Sequence, residues 1–169
     1  MADVVRLQTE RLLLRPFEEA DVSDCLDYRN DAEFARYLPH IPQPFTLLDA
    51  EAFVRQNVTE LFDQSPTFAI VFEGKVIGTV NLEIDSEDRS AMLGYAIGRT
   101  HWGRGLATEA AKAVLSWAFG TLCLNRVWAS ASAENVRSLR VLEKLGIRPQ
   151  PPTSEPTFAI TSDDWFRQR

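Results

Sequence analysis

The most informative segment of the sequence is Trp102-Gly103-Arg104-Gly105-Leu106-Ala107-Thr108-Glu109. It follows Tyr95-Ala96-Ile97, the end of a predicted strand, after a short connection. Glycines in such a loop let backbone N–H groups point into one concavity, and the positive end of the following helix is directed at the same place. The pattern suits a pyrophosphate site, but on its own so short a motif more often marks a glycine turn that only caps a helix.

Two common phosphate motifs are excluded by residues in and after this loop. A P-loop ends in Gly-Lys-Ser or Gly-Lys-Thr, which the loop lacks. A dinucleotide fingerprint needs a third glycine where Thr108 stands and an acid about 20 residues on, where the chain has Asn125 and Arg126. The loop therefore indicates a phosphate ligand held mainly by backbone groups, with neither a magnesium site nor an acid that binds ribose.

Hydrophobic periodicity on both sides of the loop predicts the remaining elements. Before the loop we expect helices over 21–28, 32–38 and 49–63, a strand over 12–16, and an antiparallel meander over 68–72, 76–84 and 92–97. After it we expect a helix with a buried face from Ala107 to Ala118, a strand over 126–130, a helix over 135–145 closed by Gly146, and a last strand over 157–161. This order predicts a mixed α/β sheet with helices on both faces.

The composition is that of one globular domain. The chain has 169 residues, of which 45% are hydrophobic and 25% are charged, and no repeat or linker divides it. A net charge of -6 without a Lys/Arg cluster argues against a nucleic-acid partner. The absence of a signal-peptide pattern and of a long apolar run predicts a cytoplasmic protein without a membrane partner. Cys25, Cys123, His40 and His101 lack the spacing of a metal site, so no metal is predicted.

At this point the chain resembles a known family. The loop motif is joined in order by Tyr95-Ala96-Ile97, Leu124-Asn125-Arg126-Val127, Asn135-Val136-Arg137-Ser138 and Leu142-Glu143-Lys144-Leu145-Gly146. Together these motifs resemble the GNAT superfamily of N-acetyltransferases, and more closely its Rim-type branch of ribosomal-protein N-terminal acetyltransferases. The resemblance implies a mostly antiparallel mixed sheet of six to seven strands. It also implies one domain over 7–169 that follows a flexible N-terminus of residues 1–6.

The resemblance also implies a site for acetyl-coenzyme A as cosubstrate. Backbone amides of the loop would bind the pyrophosphate, from Trp102, Gly103, Arg104, Gly105, Leu106, Ala107 and Thr108. The backbone of Ala96 and Ile97 would hold the pantetheine arm in a gap between two strands, and the Asn135 side chain would hydrogen-bond to the same arm. Trp102 stands where the wider superfamily has Gln or Arg, and packing is the role we expect for its side chain.

Two departures from the family pattern concern acid–base chemistry. Leu142 replaces the Tyr that many relatives use to protonate the leaving thiolate, so Ser138 is the candidate donor; the alternative is an ordinary serine on a helix surface. Met92 replaces the Glu that often serves as base. Glu83, on the strand next to Tyr95, is the next candidate base, and a solvent-facing carboxylate is its alternative role. Either histidine could also titrate near neutral pH.

The implied activity is transfer of an acetyl group from acetyl-coenzyme A to a primary amine, by direct attack in a ternary complex. The amine could belong to a peptide or protein N-terminus or to a small molecule. A non-catalytic acyl-coenzyme A binding module is the main alternative, because acid–base residues common in relatives are missing, and a nucleotide site is a weaker one. The short return after the last helix leaves the oligomeric state open, including a homodimer.

Overall fold

A single mixed sheet of eight strands organises the chain in the computed structural model, which describes residues 4–152 and 154–169. The strands are β1 (Leu7–Gln8), β2 (Leu12–Pro16), β3 (Thr67–Phe72), β4 (Lys75–Asp85), β5 (Ser90–Ile97), β6 (Arg126–Ser130), β7 (Arg148–Pro149) and β8 (Thr157–Thr161). Their order in the sheet is β1-β2-β3-β4-β5-β6-β8-β7. Neighbouring strands are antiparallel except for β5 and β6, which are parallel.

The predicted mixed, mostly antiparallel sheet is confirmed, and its six strands of five or more residues correspond to the six predicted segments. The sheet exceeds the expected six to seven strands because β1 and β7 are each two residues long. Two residues cannot show an alternating pattern, and so the sequence carries no signal for them. Within the segment predicted as flexible, residues 1–3 lie outside the described residues, whereas Val5 packs against the core.

In the part of the chain that the structure describes, six α-helices accompany the sheet: α1 (Val22–Arg29), α2 (Ala32–Ala35), α3 (Leu47–Thr59), α4 (Leu106–Gly120), α5 (Val136–Leu145) and α6 (Ser162–Arg167). Helix α3 begins two residues before the predicted 49–63 and ends four residues earlier. Its start is fixed by a capping box, in which Thr46 Oγ1 accepts from the Asp49 N–H (3.2 Å) and Asp49 Oδ2 accepts from the Thr46 N–H (2.8 Å). Helix α2 stops at Ala35 instead of Leu38, and α6 was not predicted.

Helices cover both faces of the sheet, as predicted. On one face, α4 and α5 bury Ala110, Val114 and Leu142 against strand residues such as Phe68 and Ile70. On the other face, α1 and α3 bury Cys25 and Val54 against Ala69, which points away from its neighbours in β3 because side chains alternate along a strand. Among the described residues, no helix combines the length and the apolar character needed to cross a membrane.

Candidate active site

The two parallel strands at the centre of the sheet separate towards their C-terminal ends. Pairing between β5 and β6 runs from Ser90–Arg126 to Met92–Trp128, while β5 continues to Ile97 and remains paired with β4. The free edge of β5 therefore borders an opening. This opening belongs to a cleft of about 930 Å³ that is lined by β4, β5, the glycine loop and the first turns of α4 and α5.

Backbone direction decides which groups of β5 face this opening. The Gly98 N–H donates to the Ile77 carbonyl of β4 (2.8 Å), and successive residues of a strand direct their backbone groups to alternate edges. Ala96 is consequently hydrogen-bonded to Thr79, while the backbone groups of Ile97 face the opening. Of the two residues expected to hold the pantetheine arm by their backbone, Ile97 is the one placed to do so. Ala96 offers its methyl group to the cleft instead.

The loop before α4 has the backbone shape that the sequence suggested. Gly103 and Gly105 have φ values of +73° and +76°, and Gly105 is the residue from which α4 starts. A Cβ on Gly105 would meet only Arg11 Nη2 at 3.7 Å, so the left-handed backbone, rather than crowding, requires glycine there. The first N–H groups of α4 have no acceptor within the helix, and they carry its positive dipole end. Such a loop can bind phosphate oxygens.

Trp102 connects this loop to the end of β5. Its Nε1–H donates to the Ile97 carbonyl (2.7 Å), and the Arg137 guanidinium lies 3.6 Å from the centre of its ring. The packing role expected for Trp102 agrees with these contacts. Arg137, on the first turn of α5, brings a positive charge to the cleft beside the loop. No role was predicted for Arg137, because a lone basic residue on a helix is usually a solvated surface group.

A carboxylate on α4 fixes the loop from the other side. Glu109 accepts hydrogen bonds from Thr9 Oγ1 (2.7 Å), from the Arg11 N–H (2.8 Å) and from Arg11 Nε (2.7 Å). Arg11 Nη1 also donates to the carbonyl of Arg104 in the loop (3.0 Å). Burial alone would raise the pKa of Glu109, but the bonds from Thr9 and Arg11 outweigh it and hold the pKa below its usual range. These partners are far apart in sequence, which is why sequence patterns missed them.

Helix α5 brings Asn135 and Ser138 to the cleft together. Asn135 caps the helix, because its Oδ1 accepts from the Ser138 N–H (3.3 Å). The capping bond uses the side-chain oxygen, and the Nδ2 hydrogens are the part of Asn135 that can donate to a ligand. Both residues line the cleft and are half-buried. The three-residue spacing therefore brings the two side chains to one face, as the sequence predicted.

Tyr95 is a functional candidate that sequence reasoning did not single out. Its Oη lies 2.9 Å from Ser138 Oγ and donates to the Ser138 carbonyl at 3.1 Å. Burial raises the pKa of Tyr95 to about 12, with a smaller opposing effect from the bond to Ser138. At neutral pH the phenol is therefore a hydrogen-bond donor held against the hydroxyl group of Ser138. Its position in the Tyr95-Ala96-Ile97 motif was the only signal in the sequence.

Glu83 lines the same cleft from the opposite face of the sheet. In the β4–β5 ladder it pairs with Met92, whereas Tyr95 pairs with Val80, and residues of alternating position point to opposite faces. The Glu83 and Tyr95 side chains therefore lie on different sides of the sheet, although their strands are adjacent. Glu83 is exposed and faces the side occupied by α1, α2 and α3.

The two histidines also line the cleft. His101 Nδ1 lies 3.1 Å from Thr100 Oγ1, and burial together with the charge of Arg104 lowers the pKa of His101. His101 is therefore neutral at neutral pH. His40 is exposed, in the segment after α2. That segment bridges the cleft, since the Tyr37 hydroxyl donates to the carbonyl of Glu134 just before α5 (3.1 Å).

An unpaired cation lies on the α1–α3 side of the cleft. Arg29, at the end of α1, is only 6% exposed, and its guanidinium lies 3.7 Å from the ring centre of Phe53 and 5.4 Å from that of Phe45. Removing a cation from water costs several kcal/mol, whereas a desolvated cation–π contact returns about 2 kcal/mol. Within the described residues, no carboxylate pairs with Arg29. The contacts with the rings therefore leave part of the desolvation cost uncompensated.

The cleft as a whole fits an acyl-coenzyme A thioester. The loop can bind the phosphates, and the opening along β5 can hold the extended pantetheine arm. The Tyr95–Ser138 pair lies at the first turn of α5. Fold and cleft thus agree with the arrangement expected of an acyltransferase that holds its acyl donor between two separated strands. In the described part of the chain, no three His, Cys, Asp or Glu residues are grouped as ligands for a metal ion.

Comparison with known proteins identifies the family. The profile of the acetyltransferase (GNAT) domain matches residues 11–148, and the chain therefore belongs to the GNAT acetyltransferase family. It is 35% identical over 147 residues to the uncharacterized N-acetyltransferase p20 of Bacillus licheniformis, covering 84% of this chain and 82% of that protein. It is 30% identical over 140 residues to the spermidine N(1)-acetyltransferase of Escherichia coli K12, covering 79% and 70% respectively.

Solved structures share the fold over nearly the whole chain. A GNAT-family acetyltransferase from Bacillus anthracis superposes with a TM-score of 0.83 at 27% identity, covering 94% of this chain and 99% of that one. The ribosomal-protein-S5-alanine acetyltransferase of Vibrio fischeri superposes with a TM-score of 0.81 at 22% identity, covering 95% of this chain and 98% of that one, which shows a shared fold. The predicted family and fold are confirmed. The protein is an acetyltransferase whose family uses acetyl-coenzyme A as the acyl donor.

Proposed function

We propose that this protein transfers the acetyl group of acetyl-coenzyme A directly to a primary amine, with both substrates bound in the cleft at once. The separation of β5 from β6 is the observation that carries the proposal. It joins the phosphate loop and the Tyr95–Ser138 pair on one face to the compartment under α1, α2 and α3 on the other. A thioester held in this opening would present its carbonyl carbon to an amine arriving from the second compartment.

Binding of acetyl-coenzyme A would begin at the loop. Backbone N–H groups from Gly103 to Thr108 would bind the pyrophosphate, with Arg137 adding charge at the rim. The Trp102 N–H, which was expected to join them, donates instead to the Arg99 carbonyl (3.1 Å). The Ile97 backbone and the Asn135 Nδ2 group would hold the pantetheine arm along the open edge of β5. Apart from Arg137, these groups are backbone atoms or the Asn135 side chain that caps α5, so little further ordering is needed when the cosubstrate binds.

The amine must lose a proton before it can attack. An alkyl amine with a pKa near 10 is only about 0.1% neutral at pH 7, so a base in the acceptor compartment raises the reactive fraction. Glu83 is our candidate, because it is the carboxylate of β4 that faces this compartment beside Met92. Neutral His101 is the reserve candidate on the same cleft. Attack by the amine nitrogen on the thioester carbonyl would place negative charge on oxygen, which the Ile97 N–H can stabilise.

Expulsion of the thiolate completes the transfer. As the carbon–sulfur bond breaks, Ser138 Oγ–H passes its proton to the departing sulfur, and solvent returns a proton to Ser138 Oγ once the thiol has left. The Tyr95 hydroxyl can turn from the Ser138 carbonyl to Ser138 Oγ and stabilise the charge that develops there. A thiol pKa near 8.5 makes the sulfur a fair leaving group without help, so we expect a modest contribution from this pair.

A panel of amines tests the proposal. The purified protein is mixed with acetyl-coenzyme A and N-terminal peptides, amino acids, polyamines or an aminoglycoside, and free thiol is measured together with the mass of the amine. We expect thiol release that depends on both protein and amine, with one acetyl group on the amine nitrogen. Binding of acetyl-coenzyme A without amine-dependent release would overturn the proposal in favour of a non-catalytic binding module. Displacement of coenzyme A by ATP or NAD would instead indicate a nucleotide site.

A further inference from the structure

We propose that Arg29 binds a carboxylate carried by the acceptor, so that the preferred substrates are primary amines that also bear an acidic group. This inference rests on the proposed acetyl transfer and names the acceptor class for the same cleft. It is carried by the surroundings of Arg29. The guanidinium faces Tyr28, Phe34, Phe45 and Phe53, with distances to the ring centres of 3.7 to 5.9 Å.

The guanidinium of Arg29 has no well-formed hydrogen bond within the described residues, and its polar neighbour is the buried Tyr28 hydroxyl, which also lacks a hydrogen-bond partner. The Nε of Arg29 is completely buried and has no hydrogen-bond partner within the described residues. The two terminal nitrogens also lack a printed side-chain hydrogen bond or ion pair within the described residues, and the Arg29 side chain lines the cleft. A guanidinium remains charged at any physiological pH and presents its donors as a planar fork. That fork matches the two oxygens of a carboxylate.

A second arginine, partly buried, shows how this chain compensates a charge that serves the fold. Arg15, with 12% of its side chain exposed, donates from both terminal nitrogens to the two oxygens of Asp21 at 2.8 and 2.9 Å. Asp21 is itself buried, and the pair is complete without a ligand. Arg29 is more buried than Arg15 and has aromatic rings in place of a carboxylate. The missing counter-ion is therefore expected to come from a ligand.

The position of Arg29 fits the acceptor rather than the acyl donor. Phe34, Phe45 and Phe53, which surround the guanidinium, belong to the same apolar cluster as Ala96 on the central strand. This cluster lies on the face opposite Ser138. Coenzyme A phosphates at the loop would lie on the other side of the sheet opening. An acceptor bound here would direct its carboxylate to Arg29 and its amine towards Ala96.

Acidic side chains on the same cleft complement the other end of such a substrate. Glu33 and Glu83 both line the cleft, and they would attract the ammonium form of the amine before it loses its proton. Walls made of Phe, Leu and Ile exclude water, which strengthens a carboxylate–guanidinium contact. A polyamine without an acidic group would place positive charge against Arg29 and is disfavoured.

Matched pairs of acceptors test the proposal and separate two sources of the carboxylate. Comparing phenylalanine with phenylalanine amide tests whether the carboxylate is that of a free amino acid. Comparing the peptide amides Asp-Ala-Ala and Asn-Ala-Ala tests whether it is the side chain of an acidic N-terminal residue. In each pair only a carboxylate is replaced by a carboxamide. For at least one pair we expect kcat/KM to favour the carboxylate by about 30-fold, within the range of a hydrogen-bonded charge pair. The pair with the larger ratio identifies the source.

Variants assign the preference to Arg29. Arg29→Met keeps an apolar chain among the rings and should reduce the ratio to about one, while Arg55→Met, on the exposed surface of α3, should leave it unchanged. Arg29→Lys keeps the charge but loses the planar guanidinium, so the preference ratio should fall at least about threefold. This variant replaces Arg29→Met in the test if Arg29→Met does not fold. Affinity for coenzyme A within about threefold of wild type shows that the fold is intact.

Failure of the role of Arg29 gives a different result from failure of acetyl transfer. A wild-type ratio near one in both pairs, with acetylation observed, overturns the role of Arg29 and leaves acetyl transfer standing. A preference that survives Arg29→Met, or Arg29→Lys where only that variant folds, overturns it as well. Absence of thiol release with every amine in the panel overturns acetyl transfer and the acceptor class together.

Discussion

The hydroxyl oxygens of Tyr95 and Ser138 lie 2.9 Å apart, one on the central strand β5 and the other on the first turn of α5. Sequence reasoning placed Ser138 near the leaving sulfur but gave it no partner. The contact shows that Ser138 is held from β5, while Asn135 caps the same turn. Because burial raises the pKa of Tyr95 to about 12, the pair remains protonated throughout the range in which an acetyltransferase would be assayed.

Removing the Ser138 hydroxyl should slow the reaction more than it weakens binding. We expect Ser138→Ala to lower kcat about 10- to 100-fold, the lower part of the range for general acids, because the thiolate can leave partly unaided. Coenzyme A affinity should change less than about threefold, because the loop and Asn135 determine it. Steady-state kinetics and calorimetry on the same variant measure both. An unchanged kcat would assign the proton to water, and a collapse of affinity would make Ser138 a binding residue.

Tyr95 should act through Ser138. Tyr95→Phe keeps the buried ring, and we expect kcat to fall about 3- to 10-fold because Ser138 Oγ loses its neighbour. Since the two hydroxyls act together, the double variant with Ser138→Ala should be no slower than Ser138→Ala within about twofold. Multiplicative losses in this double-mutant cycle would show that Tyr95 acts independently of Ser138.

The phosphate loop is tested by Gly105→Val. Valine at a φ of +76° is strained, so the loop should change shape and coenzyme A should bind at least about tenfold more weakly. Gly120→Val is the matched control, since a Cβ at that helix end meets open space at an ordinary φ. Calorimetry with both folded variants decides the placement. Equal affinities for Gly105→Val and wild type would remove the loop from the binding site.

The role of Glu83 as the base is tested by replacing it with glutamine, the corresponding amide. If Glu83 collects the proton of the amine, Glu83→Gln should lower kcat about 10²-fold and remove the acidic limb of the kcat/KM profile. Glu87→Gln, in the exposed turn after β4, is the control and should behave as wild type. A Glu83→Gln profile that keeps its acidic limb would transfer the role to water or to His101.

Glu109 links stability to pH through its bonds with Thr9 and Arg11. Its pKa is lowered in the folded chain, so the stability it contributes is present above the unfolded pKa of about 4.3 and is lost as the pH falls through the folded value. We expect Glu109→Gln to cost about 2 kcal/mol at pH 7 by urea denaturation. The difference from wild type should shrink steadily below about pH 4. A difference independent of pH would show that shape, rather than charge, matters at this position.

Local patterns predicted most of the fold, because each long strand and helix carries its own periodicity. The capping box at Thr46 and Asp49 starts α3 two residues before its predicted start, and the two-residue strands β1 and β7 left no pattern at all. Helix α6 has only six residues, too few for a helical period to be recognised.

The candidate site was predictable only where a motif is contiguous. The glycine loop and the Asn135–Ser138 turn were found because their residues are neighbours in sequence. Arg11–Glu109 and Tyr95–Ser138 are contacts across 98 and 43 residues, and Arg29 acquires meaning only from the rings packed around it. The sequence could not predict which way the backbone groups of Ala96 point, because their direction follows from the strand register, and pairing with β4 sets that register.

Direct transfer in a ternary complex is tested most directly by following acetyl groups before and after the amine is added. The protein is mixed with an equal amount of acetyl-coenzyme A, and its intact mass and the free thiol are measured; a reactive amine from the panel is then added. The cleft geometry predicts an unmodified protein with no thiol release until the amine arrives, and then equal amounts of thiol and acetylated amine. An acetylated protein that forms before the amine and is consumed by it would contradict direct transfer.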